Sequence, residues 1–109
     1  MKRVTRTVFP LVLKKGHVFH APHISLRVIS APETVESAFA FVVSRKVTNM
    51  AVKRNLLKRR GRHIVREATE KLKNKYTGVF FFKKDADSLS FEELQEEIAS
   101  LLSHARIGG

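Results

Sequence analysis

Apolar residues recur along the chain with two different periods, which predict strands in some segments and helices in others. In the segment His23–Ile29 the apolar positions alternate with Ser25 and Arg27, a pattern typical of a half-buried strand. The segments Ala38–Ser44 and Gly78–Lys84 also predict strands, because both are rich in aromatic and β-branched residues. The phenylalanine run in the second of them predicts a strand that is buried on both faces.

Three other segments have the three- and four-residue spacing of amphipathic helices. The first covers about Val8–Lys15, with Thr7 as the expected N-cap and Gly16 at the expected end. The second begins at about Met50, and the following residues form its apolar side: Leu57, Gly61, Ile64, Val65, Ala68 and Leu72. The third begins at Ser90–Glu93, which has the sequence of a capping box.

The order helix, strands, long helix, strand, helix predicts an α+β fold, a single-domain α/β sandwich. With 109 residues, 43% of them apolar, the chain 1–109 is expected to form one domain around one core.

The absence of cysteine excludes disulfides and thiolate metal sites. No apolar run approaches the roughly 20 residues that span a bilayer, and we find no convincing signal peptide, so we expect a cytoplasmic protein without a membrane segment.

Positive charge is concentrated in one part of the chain. The formal net charge is +11, and residues 1–66 hold 15 Lys and Arg against two Glu. No acidic residue occurs from Ser37 to Arg66, a stretch that contains nine Lys and Arg. We call these nine residues the basic cluster: Arg45, Lys46, Lys53, Arg54, Lys58, Arg59, Arg60, Arg62 and Arg66. Because like charges at this density repel one another, they indicate a polyanionic partner such as RNA.

The helical part of the basic cluster has the chemistry of a phosphate-binding surface. Residues four apart lie on one side of a helix, and Arg forks and Lys ammonium groups both bind phosphate oxygens. The alternative is an ordinary solvated helix face, but such faces usually mix acidic and basic residues. Asn55 adds a neutral donor and acceptor for sugar or base edges. The predicted RNA-binding residues are Arg45, Lys46, Lys53, Arg54, Asn55, Lys58, Arg59, Arg62 and Arg66.

Aromatic and histidine residues suggest two further kinds of site. Phe9, beside the basic N-terminus, is the preferred candidate for stacking on a base, although packing in the core is an equally good explanation. His17, His20 and His23 step by three residues, as metal ligands on a helix could. No cysteine or nearby carboxylate completes a coordination set, and Pro22 interrupts the helix that would align them, so we expect no metal there.

A carboxylate group near the C-terminus must also be weighed. Asp85 and Asp87, together with Glu92 and Glu93, could hold Mg²⁺ for a nuclease reaction. Turn formation and the favourable position of acids at a helix N-terminus explain them better. Since no nucleophile–base pair is evident either, we expect no catalytic residue in the protein itself.

The sequence around the basic cluster resembles the signature of the bacterial ribonuclease P protein component. Ser44–Lys46 is similar to the strand end of that family. Arg54-Asn55, Lys58-Arg59 and Arg62 are similar to residues on the helix that follows it. Leu56 stands where the family signature has a further arginine.

The resemblance extends over most of the chain. Phe9 and Lys14–Gly16 resemble the N-terminal helix of the family and the turn after it, and Leu89–Leu94 resembles the start of its last helix. Leu13 and Arg27 stand where aromatic residues are common.

The resemblance implies that a large RNA, using Mg²⁺, cleaves precursor tRNA to release the mature 5′ end, while the protein assists. The implied partners are this catalytic RNA and precursor tRNA, with one monomeric protein per RNA. The 5′ leader of the precursor is expected in a cleft that includes Phe9, Arg27, Arg54 and Lys58. The implied fold is ribosomal-protein-like, with a mostly antiparallel sheet and a left-handed β-α-β crossover, an exception to the usual right-handed rule.

Two other classes of function stay open on the sequence. A ribosomal-type RNA-binding protein or RNA chaperone would use the same basic cluster, but would show no preference for RNA with a 5′ leader. A protein-only nuclease would depend on carboxylates of its own.

Overall fold

The structure, a computed structural model, describes residues 1–32 and 35–107 of the chain. Within these residues the main elements are α1 (Val8–Lys15), β1 (His17–His20), β2 (Ile24–Ala31), β3 (Ala38–Val42), α2 (Ala51–Thr69), β4 (Lys75–Phe82) and α3 (Phe91–His104). The three predicted helices and three predicted strands are confirmed, whereas β1 was not predicted. None of the helices in the described ranges is long and apolar enough to cross a membrane.

The strands form one sheet in the order β1-β2-β4-β3. β1 pairs with β2 and β2 with β4 in antiparallel orientation, and β3 pairs with β4 in parallel orientation. The α+β class and the mostly antiparallel sheet are therefore confirmed, and α2 forms the crossover between the two parallel strands. The left hand of this crossover, which the resemblance implies, stays a prediction.

The two faces of the sheet are covered by different helices. On one face, the main core joins side chains of α2 and α3 to alternate residues of the strands, such as Leu26, Phe41 and Phe80. On the opposite face, which we call the α1 face, α1 packs against β2 and β4. Val12 of α1 and Val79 of β4 are both fully buried, yet neither belongs to the main core cluster.

Strand β4 is longer at its start than predicted, because it pairs with β2 over eight residues. Its middle, Thr77–Phe80, is buried, which confirms burial on both faces for that part. The prediction is wrong for Phe81, which is half-buried, and for Lys83 and Lys84, which follow the strand. Phe81 points to the α1 face, where α1 does not cover the whole sheet.

The ends of α1 differ from the prediction in detail. Thr7 makes no capping bond through its side chain; the hydroxyl of Thr5 accepts a hydrogen bond from the Val8 N–H instead, at 3.3 Å. The helix ends at Gly16 as predicted, and the Gly16 N–H donates to the Val12 carbonyl. A Cβ at Gly16 would collide with that same carbonyl oxygen, so a close approach of backbone to backbone requires the glycine here.

The buried side of α2 also differs from the prediction near its end. Ala68 is exposed, and Leu72 lies beyond the helix. Thr69 is buried in their place, since it continues the four-residue steps from Gly61 and Val65. Burial of this polar side chain is tolerated because its hydroxyl donates to the Val65 carbonyl at 2.8 Å.

The capping box at the start of α3 is confirmed. The Glu93 N–H donates to the Ser90 hydroxyl at 3.1 Å, and the Ser90 N–H donates to the Glu93 carboxylate at 2.9 Å. The hydrogen bond from the Ser90 N–H to the carboxylate is the main cause that lowers the pKa of Glu93 below its ordinary value. A carboxylate whose pKa is lower in the folded than in the unfolded state stabilises the folded state at neutral pH. This contribution is lost as the pH falls through the lowered pKa.

We therefore expect Ser90→Ala to lower the melting temperature at neutral pH by a few degrees, since a lost Ser N-cap costs about 1 kcal/mol. The difference from the wild type should persist in acid, because the Glu93 N–H loses its acceptor at every pH, while the Ser90 N–H that donates to the Glu93 carboxylate is kept in the variant. Thermal unfolding at both pH values measures this, with Ser103→Ala in the last turn of α3 as the control. Equal melting temperatures for Ser90→Ala and the wild type at neutral pH would contradict the prediction.

Candidate RNA-binding surface

The basic cluster lies on the turn after β3 and on the outward sides of α2. The helix buries Leu57, Gly61, Ile64 and Val65, so its cationic positions are directed away from the core. Among the predicted RNA-binding residues, the following are exposed: Arg45, Lys46, Lys53, Asn55, Arg59 and Arg66. Three others are half-buried: Arg54, Lys58 and Arg62. Every predicted position therefore reaches the surface.

Protein carboxylates do not neutralise this charge in the part of the chain that the structure describes. The ion pairs found there join the N-terminal ammonium to Glu36, His23 to Glu97 and His63 to Glu67. None of them involves a Lys or Arg side chain. The arginines and lysines of α2 thus keep their capacity to bind an external anion.

Arg54 has a structural contact in addition to its predicted role. One guanidinium nitrogen donates to the Thr48 carbonyl at 3.0 Å, and the Thr48 hydroxyl accepts from the Met50 N–H at 3.2 Å. Val47 in the same turn is buried, and its N–H donates to the Ser44 carbonyl. These contacts hold the turn that carries Arg45 and Lys46 against the start of α2.

A separate pocket lies on the α1 face, beside α1. It has a volume of about 370 Å³. Its lining combines apolar and hydrogen-bonding side chains: Leu13, Val18, His20, Ser25, Arg27 and Phe81. The strand residues among them are brought together by the sheet register, which pairs Val18 with Arg27, His20 with Ser25 and Ser25 with Phe81. Alternation along each strand places all of them on the α1 face.

The charged groups at this pocket are held by backbone carbonyls. A guanidinium nitrogen of Arg27 donates to the Leu13 carbonyl at 2.6 Å, in the last turn of α1, where carbonyls lack partners within the helix. The Lys83 ammonium donates to the Ala21 carbonyl at 2.8 Å and lies 3.3 Å from Nδ1 of His20. The pocket therefore combines apolar side chains with the cationic Arg27, and the Lys83 ammonium lies beside it at His20.

Of the four residues expected in the leader cleft, Arg27 alone is in this pocket. Phe9 is half-buried, lies outside the main core cluster and precedes Leu13 by one helical turn. Arg54 and Lys58 are on α2, which packs on β3 and α3. Phe9 is thus neither fully exposed nor part of the core, and a common leader site for the four residues stays a prediction.

The pocket and the turn that carries Arg45 and Lys46 nevertheless lie at the same end of the sheet. One row of paired residues runs across the four strands from His20 through Ser25 and Phe81 to Val42. The row spans about 14 Å, since neighbouring strands lie about 4.8 Å apart. Val42 ends β3, and the turn with Arg45 and Lys46 follows directly.

The histidines of the sequence are separated by the fold. His20 borders the pocket on the α1 face, whereas His23 forms a bidentate contact with Glu97, through its N–H at 2.8 Å and its Nδ1 at 2.6 Å. Across residues 1–32 and 35–107, no group of three or more histidine and carboxylate side chains is placed to hold a metal ion.

Sequence reasoning missed several residues of the pocket. Val18 and His20 belong to the unpredicted strand β1. Lys83, which lies beside the pocket at His20, follows the strand that was predicted to include it. The alternation that placed Ser25 and Arg27 on one face was a usable signal for part of the lining. Its other members come from α1, β1 and β4, which only sheet pairing and the packing of α1 on the sheet bring together.

Comparison with known proteins identifies the family. A family model described as Ribonuclease P matches residues 2–106. The ribonuclease P protein component of Synechococcus elongatus is 31% identical over 106 residues, covering 94% of this chain and 87% of that protein. That of Bacillus pumilus is 29% identical over 99 residues, covering 91% and 82%.

Solved structures show the same fold. The RNase P protein of Thermotoga maritima superposes with a TM-score of 0.81 at 24% identity, covering 95% of this chain and 97% of that one. A Staphylococcus aureus RNase P protein mutant, described as having defective mRNA degradation activity, superposes with a TM-score of 0.84 at 20% identity, covering 95% and 87%. On its sequence, matched over nearly its whole length, the chain belongs to the bacterial ribonuclease P protein family.

Proposed function

We propose that this protein is the RNA-binding subunit of ribonuclease P, which assists removal of the 5′ leader from precursor tRNA. Family membership implies a role in tRNA 5′ processing. The observation that supports RNA binding most directly is the basic cluster, whose side chains make no ion pair with protein carboxylates within the described residues. Such a surface attracts phosphate and releases the counterions condensed on RNA.

Within the proposed complex, the RNA partner performs the bond cleavage. Mg²⁺ held by that RNA supplies the metal chemistry of phosphodiester hydrolysis. The residues of this protein bind and position the RNA. The positive charge of α2 reduces the repulsion between the phosphates of the catalytic RNA and those of the precursor tRNA. The complex contains one protein and one catalytic RNA and works in the cytoplasm.

The geometry suggests a path for the leader. A single strand that follows the row from His20 to Val42 would leave the pocket on the α1 face and reach the turn with Arg45 and Lys46. Phe81 and Phe9 are half-buried rings near the start of this path and can contact bases. Arg54 and Lys58 follow the turn, where they can contact leader phosphates.

Reconstitution with a bacterial ribonuclease P RNA tests this function. At low Mg²⁺, the purified protein should increase cleavage of precursor tRNA, and the gain in substrate affinity should require the leader. Precursors with long and minimal leaders, each with and without protein, form the comparison. A gain that is the same for both precursors would contradict leader binding and favour a ribosomal-type RNA-binding protein or chaperone.

A second set of variants tests where catalysis resides. Asp85→Asn, Asp87→Asn and Glu92→Gln, combined in one protein, should leave cleavage by the reconstituted complex intact. If the protein cleaved precursor tRNA without the RNA subunit, and these changes abolished that cleavage, the protein would instead be a protein-only nuclease.

A further inference from the structure

We propose that the pocket on the α1 face selects a guanine base of the leader, and that Arg27 is the residue that reads it. This inference rests on the proposed function, because it requires that the leader enters this pocket. It goes beyond that function by assigning a base preference to a named side chain. The argument depends on which hydrogen-bonding groups the pocket presents.

The polar groups at the pocket are almost all donors. The Arg27 guanidinium has five N–H donors and no acceptor, and one of its terminal nitrogens is bound to the Leu13 carbonyl. The Lys83 ammonium has donors only. Nδ1 of His20 lies 3.3 Å from that ammonium, where it can accept a hydrogen bond. The Ser25 hydroxyl can both donate and accept.

The contact with Leu13 also fixes the orientation of the guanidinium. A planar fork with one nitrogen anchored at 2.6 Å has little freedom to rotate, so its remaining N–H groups keep a defined direction. Leu13, Val18 and Phe81 supply apolar surface against which the faces of a base can pack. The volume of about 370 Å³ lies within the range of pockets that hold small ligands.

Guanine matches this set of donors better than the other bases. Its O6 and N7 atoms are two neighbouring acceptors, which an arginine fork binds in bidentate fashion. Adenine presents N7 beside an N6 amino group, which would place a donor against the donors of Arg27 and leave both unpaired. At the corresponding edge uracil offers one acceptor, its O4 atom, and cytosine offers a donor, its N4 amino group. We expect guanine to bind about tenfold more tightly than adenine.

The test uses the complex reconstituted from the full chain and a bacterial ribonuclease P RNA. Precursor tRNAs that differ at one leader nucleotide are compared, with each leader position varied in turn. The dissociation constant of each is measured with and without the protein, so that contacts of the RNA alone cancel. At one position, the protein should improve binding of the guanosine precursor about tenfold more than that of the adenosine precursor.

Modified bases identify the atoms involved and need no change to the protein. Inosine keeps O6 and N7 and should bind like guanosine, whereas 7-deazaguanosine lacks N7 and should lose most of the preference. Equal binding of guanosine and 7-deazaguanosine would exclude the proposed contact.

Variants at Arg27 then connect the preference to the side chain. Arg27→Gln should shift the preference from guanine to adenine, because an amide binds adenine N6 and N7 in bidentate fashion. Arg27→Lys keeps the charge but lacks the fork, and should bind all four bases with similar affinity. Lys84→Ala, which removes an exposed charge near the end of β4, is the matched control and should keep the guanine preference. Melting temperatures establish that each variant is folded.

The possible outcomes separate this inference from the function on which it rests. A protein-dependent gain that requires the leader, but shows no guanine preference at any position, overturns the inference and leaves the proposed function standing. Absence of any leader-dependent gain overturns both.

Discussion

Replacement of both Arg54 and Lys58 by alanine should weaken binding of the catalytic RNA by about a hundredfold. A hydrogen bond to a charged group contributes about 1.5 kcal/mol, which is roughly tenfold in affinity for each residue. Both side chains reach the surface of α2, and in the described residues neither forms an ion pair with a carboxylate. Titration of labelled RNA with wild-type and variant protein measures the loss.

Net charge alone must be separated from this local effect. Lys71→Ala combined with Lys73→Ala removes the same charge from exposed positions just after α2, outside the basic cluster. This control should lose little affinity. If both double variants bound RNA equally weakly, the overall charge of the protein, and not the surface of α2, would account for binding.

The salt dependence gives an independent measure of the same contacts. Each phosphate contact contributes about 0.7 to 0.9 to the slope of log affinity against log salt concentration. The variant lacking Arg54 and Lys58 should therefore show a shallower slope than the control. Because Arg54 also donates to the Thr48 carbonyl, the Lys58→Ala single variant is the cleaner test of phosphate binding.

Gly61→Leu should destabilise the fold more than any surface substitution in α2. A Cβ at this position would lie 2.9 Å from two ring carbons of Phe41 and 3.4 Å from the Phe82 ring. The Phe41 ring cannot easily retreat, since it stacks on Phe80 with ring centroids 5.3 Å apart. Overpacking of this kind costs about 1–3 kcal/mol, and each kcal/mol lowers the melting temperature of a domain of this size by about 4–8 °C.

Thermal unfolding of Gly61→Leu and Ala68→Leu tests this. Ala68 is exposed in the same helix, so leucine there should have little effect on the melting temperature. Gly61→Ala should fall between the wild type and Gly61→Leu, because better helix propensity, worth about 1 kcal/mol, partly offsets the close contact with Phe41. An unchanged melting temperature for Gly61→Leu would show that α2 can move away from the sheet at no cost.

Local patterns in the sequence were sufficient for the helices and for the charged surface. The capping box at Ser90 depends on residues three apart, and the end of α1 at Gly16 depends on its own turn. The basic cluster was evident because charge density and the absence of acidic residues are properties of one continuous segment. The same local reasoning found the N-cap position of α1 at Thr7, although the Thr5 hydroxyl makes the side-chain hydrogen bond there. It was wrong at Ala68, because the adjacent Thr69 is the buried residue.

Strand β1 and the pocket on the α1 face required the tertiary structure. β1 is a four-residue strand at the edge of the sheet, held by its pairing with β2, and His17 and His20 at its ends hide its alternation. Lys83 and His20 are 63 positions apart in the chain but 3.3 Å apart in space. The amino-acid sequence by itself determined which segment carries the concentrated positive charge. Only the pairing of distant strands decided which donors face a common pocket, because residues far apart in the chain become neighbours only when their strands pair in the sheet.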